Sequence, residues 1–275
     1  MTGPSTAGLT FDTSVPNAAR MYDYWLGGKD NFAADREAAR RSAEAVPQLP
    51  WLARQNRAFL GRAVRFCASA GITQFLDVGT GLPTMNSVHQ VAEQVTAEPR
   101  VVYVDNDPVV VSHARALLTT PRTVALHGDL SRPDEFLGAP DLLGVLDLSR
   151  PIAVLLVAVL HFVPDEADPN AAVARLRDAM APGSFLVVSH VEMAPGHVSG
   201  TQQQPRTEVA RELGEARKGM PPARARTRAE VAAFFGDLAL VEPGLADVWR
   251  WRPDGGQVTT AGNVMTVLGG VARKS

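Results

Sequence analysis

The sequence predicts an α/β protein whose mainly parallel sheet carries helices on both faces. Strand and helix patterns alternate from residue 74 to residue 191, which is typical of successive βαβ units. The run "IAVLLVAVL", residues 152–160, is apolar at every position, as expected of a strand that is buried on both faces. Because this longest apolar run is about half as long as a membrane-spanning helix, no membrane partner is predicted.

Composition limits the class of protein further. The 275 residues are 45% hydrophobic and 20% charged, which indicates one large domain with an appendage rather than two equal domains. A formal net charge of −2 excludes a global electrostatic attraction to nucleic acid or to an anionic membrane. The single cysteine, Cys67, excludes an internal disulfide framework. Together with an N-terminus that lacks the pattern of a signal peptide, this cysteine usage predicts a cytoplasmic protein.

Three helices are predicted before the first strand. They cover residues 16–25, 33–46 and 51–70. The first ends at Gly27–Gly28, and the third has apolar residues at helical spacing. We therefore predict an N-terminal tail and helical cap over residues 1–50, followed by the main domain over residues 51–275.

The sheet and a C-terminal tail are predicted after these helices. The predicted strands cover residues 74–79, 100–105, 123–130, 152–160 and 184–191, with helices at 86–95, 108–118 and 170–180. The tail is predicted to contain helices at 203–218 and 227–235 and two late strands at 238–242 and 264–268. These late strands are expected to form an antiparallel edge.

The segment "FLDVGTGLPT", residues 75–84, carries the most information on function. A hydrophobic strand enters a Gly-x-Gly turn and then a helix, and ligands of doubly wound sheets bind at this end of the strand. Gly79 and Gly81 allow a close approach of the backbone to a ligand. A dinucleotide site would be expected to have a third glycine at the position of Thr84, and Asp77 would be poorly placed beside a pyrophosphate. A carboxylate at position 77 suits a ligand that carries an ammonium group.

Two further carboxylates end the next two strands. Asp105 follows Gly81 by 24 residues, a separation at which an acidic residue accepts hydrogen bonds from ribose hydroxyls. Asp129 ends the third strand in "HGDL", where it is placed to accept from an adenine amino group. Carboxylates for an amine, a ribose and an adenine describe S-adenosylmethionine better than NAD.

The order of the segments "DVGTG", "VYVDND", "HGDL", "LLVAVLHFVPDE" and "APGSFLVVSH" resembles that of the class I S-adenosylmethionine-dependent methyltransferases. The resemblance implies their Rossmann-like fold, a seven-stranded, mostly parallel sheet with an antiparallel last strand, and S-adenosylmethionine as the cofactor. The N-terminal "NAARMYDYWLGGKDNFAADR" narrows the resemblance to the actinobacterial DUF574 or Methyltransf_19 family, over about residues 12–272. Many class I enzymes have a glycine where this chain has Pro83, and proline there agrees with the narrower group. The resemblance leaves the methyl acceptor open.

The resemblance also implies which residues hold the cofactor. Those expected around the methionine moiety are Asp77, Gly79, Thr80 and Gly81. Asp105 is expected at the ribose, and those expected at the adenine are Asn106, Asp129 and Leu130. The segment from Ala158 to His161 is expected to line the sulfonium and the path of the methyl group. No metal site is predicted.

Each of these positions also has a structural interpretation. The glycine turn is compatible with another α/β protein, Asp105 with the N-cap of the next helix, and Asp129 with a turn residue that caps the following segment. His161 is a candidate general base for a hydroxyl acceptor, but it equally suits a residue that holds its loop by hydrogen bonding. Methyl transfer depends mainly on alignment, so a strong base is not required.

The segment "MYDYWLGGKDNFAADRE", residues 21–37, combines aromatic side chains with a glycine pair. In class I methyltransferases such N-terminal additions commonly fold over the cofactor and help to build the acceptor pocket. The apolar wall is expected to come from Tyr22, Tyr24 and Trp25, the turn close to the ligand from Gly27 and Gly28, and a polar contact from Asn31. The alternative is that the aromatic side chains only dock the cap on the sheet.

The predicted function is the transfer of a methyl group from S-adenosylmethionine to an unidentified small molecule. A basic stretch, residues 206–228, is interrupted by glutamates at helical spacing and lacks interleaved aromatic residues, so no nucleic-acid partner is predicted. A lid over an anionic or carboxylate-bearing small molecule fits this stretch better. Two alternatives stay open: a sensor that binds S-adenosylmethionine without turnover, and a nicotinamide-dependent oxidoreductase.

Overall fold

The computed structural model describes residues 12–83, 86–117, 120–192, 206–220, 222–255 and 265–275. Within these residues the chain forms one mixed sheet with helices on both faces. The strands are β1 (Gln74–Val78), β2 (Arg100–Asp105), β3 (Thr123–His127), β4 (Ala153–Val157), β5 (Phe185–Glu192), β6 (Ala239–Leu240), β7 (Ala246–Asp247) and β8 (Thr266–Arg273). The helices are α1 (Ala18–Leu26), α2 (Ala33–Ala45), α3 (Leu49–Ser69), α4 (Val88–Glu93), α5 (Pro108–Leu117), α6 (Pro133–Leu137), α7 (Pro140–Leu143), α8 (Pro169–Ala179), α9 (Arg206–Ala216) and α10 (Arg228–Ala233).

The order of the strands places the carboxyl end of β1 near the centre of the sheet. That order is β3-β2-β1-β4-β5-β8-β6, with β7 beside β8. Strands β1 to β5 are parallel, whereas β8 runs antiparallel to β5, β6 and β7. The direction in which strands are added reverses beside β1, and ligands of open α/β sheets bind at such a switch point. The predicted α/β class, with a mostly parallel sheet and an antiparallel last strand, is confirmed.

Two hydrophobic cores flank the sheet because successive strand residues point to opposite faces. Phe75 of β1 and Phe59 of α3 belong to one core. Leu76 of β1 and Phe234, which follows α10, belong to the other. These four side chains are essentially inaccessible to solvent, so the sheet is held rigidly from both sides under the carboxyl ends of its parallel strands.

The C-terminal edge differs from the prediction in the number and length of its strands. The described residues form eight strands instead of seven, because the two-residue strands β6 and β7 pair with different parts of β8. The predicted strand 264–268 continues as β8 to Arg273 through Gly269–Gly270. A Cβ at Gly269 would lie 2.8 Å from Cε2 of Phe59, and one at Gly270 would lie 2.9 Å from Cζ of Phe235. The glycine pair therefore lets helices pack on both faces of β8 and does not end the strand.

The other predicted elements agree with the structure apart from their ends. Helices α1, α2 and α3 begin and end within two residues of the predicted bounds. Strands β3 and β4 end three residues before the predicted bounds, and residues 160–162 form a 3-10 turn after β4. Positions 84, 118, 203–205 and 264, which the predictions included, lie outside the described residues.

The N-terminal helices pack on α3 and also on α9 from the C-terminal half of the chain. Met21 of α1 forms a small core with Ala38 and Ala39 of α2, and Met220 packs against it. Val209 of α9 packs with residues just before and in α3, namely Val46 and Leu49. The cap is thus built from two stretches of chain, and a domain boundary at residue 50 stays a prediction.

None of the helices in the described residues combines the length and the apolar character needed to cross a bilayer.

Candidate active site

The turn after β1 is fixed by main-chain hydrogen bonds to β2. The Gly79 amide donates to the carbonyl oxygen of Val104 at 2.7 Å. Gly79 and Gly81 both have positive φ angles, +73° and +65°, which favour glycine over residues with a Cβ. A Cβ on Gly79 would overlap the side chain of Val159, in the segment after β4. The turn and that segment therefore touch, and they bring the two predicted ends of the cofactor site together.

Asp77 is a buried carboxylate at this turn. Its side chain is 5% exposed, and Oδ2 accepts a hydrogen bond from Oγ1 of Thr80 at 3.0 Å. Burial raises the pKa of Asp77 to about 6, against the lowering effects of the Thr80 hydroxyl and of Arg57. A cationic ligand beside Asp77 would stabilise the ionised form of this buried carboxyl.

Asp105 joins β2 to the same turn. Its Oδ2 accepts from the Gly81 amide at 2.8 Å, and its Oδ1 accepts from the Asp107 amide at 2.9 Å. Burial raises the pKa of Asp105, while these two main-chain donors lower it. Because each carboxylate oxygen has two lone pairs, both oxygens can still accept from ribose hydroxyls. The N-cap alternative for Asp105 is wrong, because α5 is capped by Asp107, whose Oδ1 accepts from the Val109 amide at 2.8 Å.

The predicted adenine residues follow at the ends of β2 and β3. Asn106 is exposed, and its carbonyl oxygen lies 3.1 Å from Nε2 of His127. Asp129 is half-buried, and its Oδ1 accepts from both the amide and the hydroxyl of Ser131. Leu130 is buried in the core beneath. Asp129 therefore has the turn-capping role given as its alternative, and its contact with adenine stays a prediction.

Ala158 is held by a chain of hydrogen bonds that starts in the cap. Its φ angle is +58°, and its amide donates to Oγ of Ser189 at 3.0 Å. Ser189 in turn donates to Oδ1 of Asn56 at 2.6 Å. The Asn56 amide donates to the Tyr22 hydroxyl at 3.0 Å, and that hydroxyl donates to the carbonyl oxygen of Ala53 at 2.8 Å. These hydrogen bonds connect Tyr22 of α1 to the segment after β4.

His161 lies two residues beyond the contact with Gly79. Its ring is buried against Phe162 and His190. Burial, with smaller contributions from His190, Arg217 and Arg226, lowers the pKa of His161 well below its ordinary value. The imidazole is neutral at physiological pH and is a weak base, so its predicted catalytic role stays a prediction.

The remaining predicted cap residues form contacts within the cap. Tyr24 packs against the small core around Met21. Gly27 is the left-handed C-cap of α1, and a Cβ on Gly28 would overlap the carboxylate of Asp23. Asn31 is buried and donates to Oδ2 of Asp23 at 2.8 Å. These contacts hold the cap together internally, and a ligand contact from any of these residues stays a prediction.

Helix α1 nevertheless contacts the carboxyl edge of the sheet. A Cβ on Gly81 would lie 3.7 Å from Cβ of Ala19. The buried Arg20 forms an ion pair with Asp35 at 2.8 Å and approaches Asp107 to 3.8 Å. One side of α1 thus faces the glycine turn and the loop that follows Asp105.

Sequence reasoning missed two residues that build this site, Asn56 and Ser189. Asn56 lies on the buried face of α3 between Leu52 and Phe59, and Ser189 lies in the buried strand β5. A polar residue on an otherwise apolar face was the available signal in both places, because buried polar groups require partners.

The donor and acceptor groups at this edge fit S-adenosylmethionine. Asp77 offers a buried carboxylate to an ammonium group, and Asp105 offers lone pairs to a diol. A small pocket adjoins the turn, and its lining includes Arg57, Asp77, Thr80, Gly81, Pro83 and Tyr103.

Comparisons with known proteins agree with this fit. The family model Methyltransf_19, described as S-adenosyl methyltransferase, matches residues 4–275. A candidate methyltransferase from Thermobifida fusca is 39% identical with a TM-score of 0.86, and the match covers 99% of each chain. A DUF574 family protein from Streptomyces avermitilis is 41% identical with a TM-score of 0.86, and the match covers 96% of this chain and 99% of that one.

More distant structures show only the fold. An O-methyltransferase family protein from Burkholderia thailandensis is 14% identical with a TM-score of 0.53, and the match covers 95% of this chain and 65% of that one. No curated protein sequence matches the chain. The family match over almost the whole chain confirms the predicted cofactor and the resemblance on which that prediction rested. The chain belongs to the Methyltransf_19 family of S-adenosyl methyltransferases.

Proposed function

We propose that this protein transfers the methyl group of S-adenosylmethionine to a small molecule. The observation that carries the proposal is the buried Asp77 carboxylate, with its raised pKa, beside two glycines of positive φ and within the same turn as Asp105. The sulfonium of the cofactor makes its methyl group open to displacement by a nucleophile. The tasks left to the protein are to bind, to align and to exclude water.

Each of these tasks has residues suited to it. Asp77 binds the ammonium group, Asp105 binds the ribose, and Asn106 and Asp129 contact the adenine. The segment after β4 forms the wall beside the methyl group, because Val159 packs on Gly79 and Ala158 is fixed through Ser189. No strong base is needed for alignment, which agrees with the neutral, buried His161.

The cap supports a small acceptor over a macromolecular one. Ala19 approaches Gly81, and the Tyr22 hydroxyl is connected to the wall of the site through Asn56. Helix α1 therefore covers part of the carboxyl edge of the sheet, which favours an acceptor small enough to fit beneath it. Glutamates share α9 with its arginines, which does not suit a nucleic-acid surface.

Isothermal titration calorimetry with S-adenosylmethionine and S-adenosylhomocysteine tests the binding step. Binding of neither compound below millimolar concentration would reject the proposal. A second assay offers methyl-labelled cofactor with small-molecule extracts of actinobacterial cultures. Tight binding without transfer to any extract would favour the sensor that binds the cofactor without turnover.

A further inference from the structure

Arg217 is a half-buried arginine in the turn that follows α9. Among the described residues, its solvent-inaccessible Nε atom has no hydrogen-bond partner and its guanidinium forms no ion pair with a carboxylate. Its main chain is well fixed, since the amide donates to Leu213 and the carbonyl oxygen accepts from Met220. Burial lowers the pKa of Arg217. The arginine is therefore held in place by the backbone and not by a partner for its charge.

The guanidinium of Arg226, unlike that of Arg217, has hydrogen-bond and ion-pair partners. Its guanidinium donates to Oδ1 of Asp165 at 2.8 Å and to the carbonyl oxygen of Leu160 at 2.9 Å. It also approaches Nε2 of His190 at 3.0 Å. Asp165 is shared with Arg224, which also pairs with Glu230, so two carboxylates face these two arginines and neither of them pairs with Arg217. The Nε of Arg217 is a buried donor whose desolvation is not compensated within the described residues, and a bound anion would supply the missing acceptor.

Arg217 lies between the cap and the segment after β4. On one side Met220 packs on the small core of α1 and α2 around Met21. On the other side Arg217 is close enough to His161 to contribute to the lowering of its pKa. His161 also has a buried nitrogen, Nδ1, without a hydrogen-bond partner in the described part of the chain. Two buried polar groups without partners thus lie in one region, next to the wall that adjoins the glycine turn.

We propose that Arg217 binds a carboxylate of the methyl acceptor and that His161 hydrogen-bonds to a second polar group of the same molecule. This inference rests on the proposed function and names the class of its acceptor. A single uncompensated guanidinium matches a monoanion, and its planar fork matches a carboxylate in a bidentate geometry. The neutral imidazole can accept from or donate to a hydroxyl or amino group. The acceptor is accordingly a small carboxylic acid that carries a hydroxyl or amino group.

The test uses matched acids and amides as probes. The full-length protein is saturated with S-adenosylhomocysteine and titrated with salicylate against salicylamide, anthranilate against anthranilamide, and lactate against lactamide. Wild type is expected to bind at least one acid about 10-fold or more tightly than its amide. Arg217→Met should remove this preference, a loss of about 30-fold or more in acid affinity, and Arg217→Lys should keep part of it. The control is Arg211→Met, because Arg211 is exposed on α9 and has only a 4.0 Å contact with Glu212.

Two further measurements separate the possible failures. Affinity for S-adenosylhomocysteine should be the same in wild type and in Arg217→Met. If wild type binds S-adenosylhomocysteine but prefers no acid, or if the preference survives in Arg217→Met, this inference is overturned and the proposed function stands. If wild type binds no S-adenosylhomocysteine, both are overturned. The melting temperature of Arg217→Met without ligand should exceed that of wild type or lie within about 5 °C below it, because the Nε of Arg217 has no partner in the described residues. A larger fall would assign Arg217 a structural role instead and overturn the inference.

Discussion

Replacing Asp77 by asparagine should make the free protein more stable and its cofactor complex weaker. The pKa of Asp77 is about 6 in the folded chain, against an ordinary value of 3.8. This difference corresponds to about 3 kcal/mol of unfavourable ionisation at neutral pH. Asparagine has the same shape and its carbonyl oxygen can still accept from Thr80, but its amide nitrogen needs an acceptor. We therefore expect Asp77→Asn to raise the free energy of unfolding at pH 8 by about 1–3 kcal/mol.

The sign of the pH dependence follows from the direction of the pKa shift. A carboxyl with a raised pKa in the folded state binds its proton more tightly there than in the unfolded chain. Its contribution to stability is therefore most favourable at acid pH and is lost as the pH rises from 3.8 through about 6. The gain from Asp77→Asn should accordingly be large at pH 8 and small at pH 4.

Urea unfolding at both pH values measures the stability change, and calorimetry measures the affinity for S-adenosylhomocysteine. Loss of the charge-assisted hydrogen bond to the ammonium group should weaken binding by about 10- to 150-fold. Asp237→Asn is the control, because that side chain is 98% exposed and should change stability by less than about 0.5 kcal/mol. An Asp77→Asn variant that is less stable than wild type at pH 8, or equally stabilised at both pH values, would refute this account of the site.

Three further predictions concern the same site. Affinity of the wild type for S-adenosylhomocysteine should fall by about 10-fold per pH unit below pH 6, because the carboxyl of Asp77 in the free protein is then protonated. Asp77→Asn should lack this pH dependence. Calorimetric titrations between pH 5 and pH 8 that show no fall in wild-type affinity would contradict the prediction. Gly79→Ala should lower the free energy of unfolding by about 2–4 kcal/mol, because φ is +73° and the added methyl overlaps Val159. The control Gly214→Ala, in α9 with no described atom within 4 Å of its Cβ, should raise the free energy of unfolding by about 1 kcal/mol. Equal effects of the two substitutions in urea unfolding would show that the turn is not strained. Ser189→Ala should destabilise the protein by about 1–3 kcal/mol. Its effect should couple with that of Tyr22→Phe by more than about 0.5 kcal/mol, since Asn56 joins the two hydroxyls. Additive changes in a double-mutant cycle would show that these hydrogen bonds do not act as a unit.

The sequence predicts the parallel part of the sheet well because its signals are local. Strands β1 to β5 are apolar runs bounded by glycine, proline or aspartate, and their buried patterns agree with those runs. The C-terminal edge is harder to predict. Strands β6 and β7 have two residues each, too few for a periodic pattern, and Gly269–Gly270 resembles a strand end although it makes room for aromatic rings.

The candidate site also has one part that the sequence predicts and one part that it does not. Asp77, Gly79, Gly81 and Asp105 lie at the carboxyl ends of neighbouring strands, so their proximity follows from motif and topology. The hydrogen bond between Asn56 and Ser189 joins residues that are 133 positions apart. The approach of Ala19 to Gly81 depends on how the cap packs. Contacts of this kind are set by tertiary packing, and no spacing rule within one sequence contains them.

The construction of the cap has a consequence for exchanging parts between relatives. Helices α1 and α2 share their packing with α9 and with the turn that contains Arg217. A chimera that exchanges only residues 1–50 would therefore set foreign side chains against the native Val209 and Met220. We expect functional chimeras to require joint transfer of residues 12–50 and 206–220. If the acceptor pocket is shaped by both stretches, new specificities in this family arise by paired changes at two distant places in the chain.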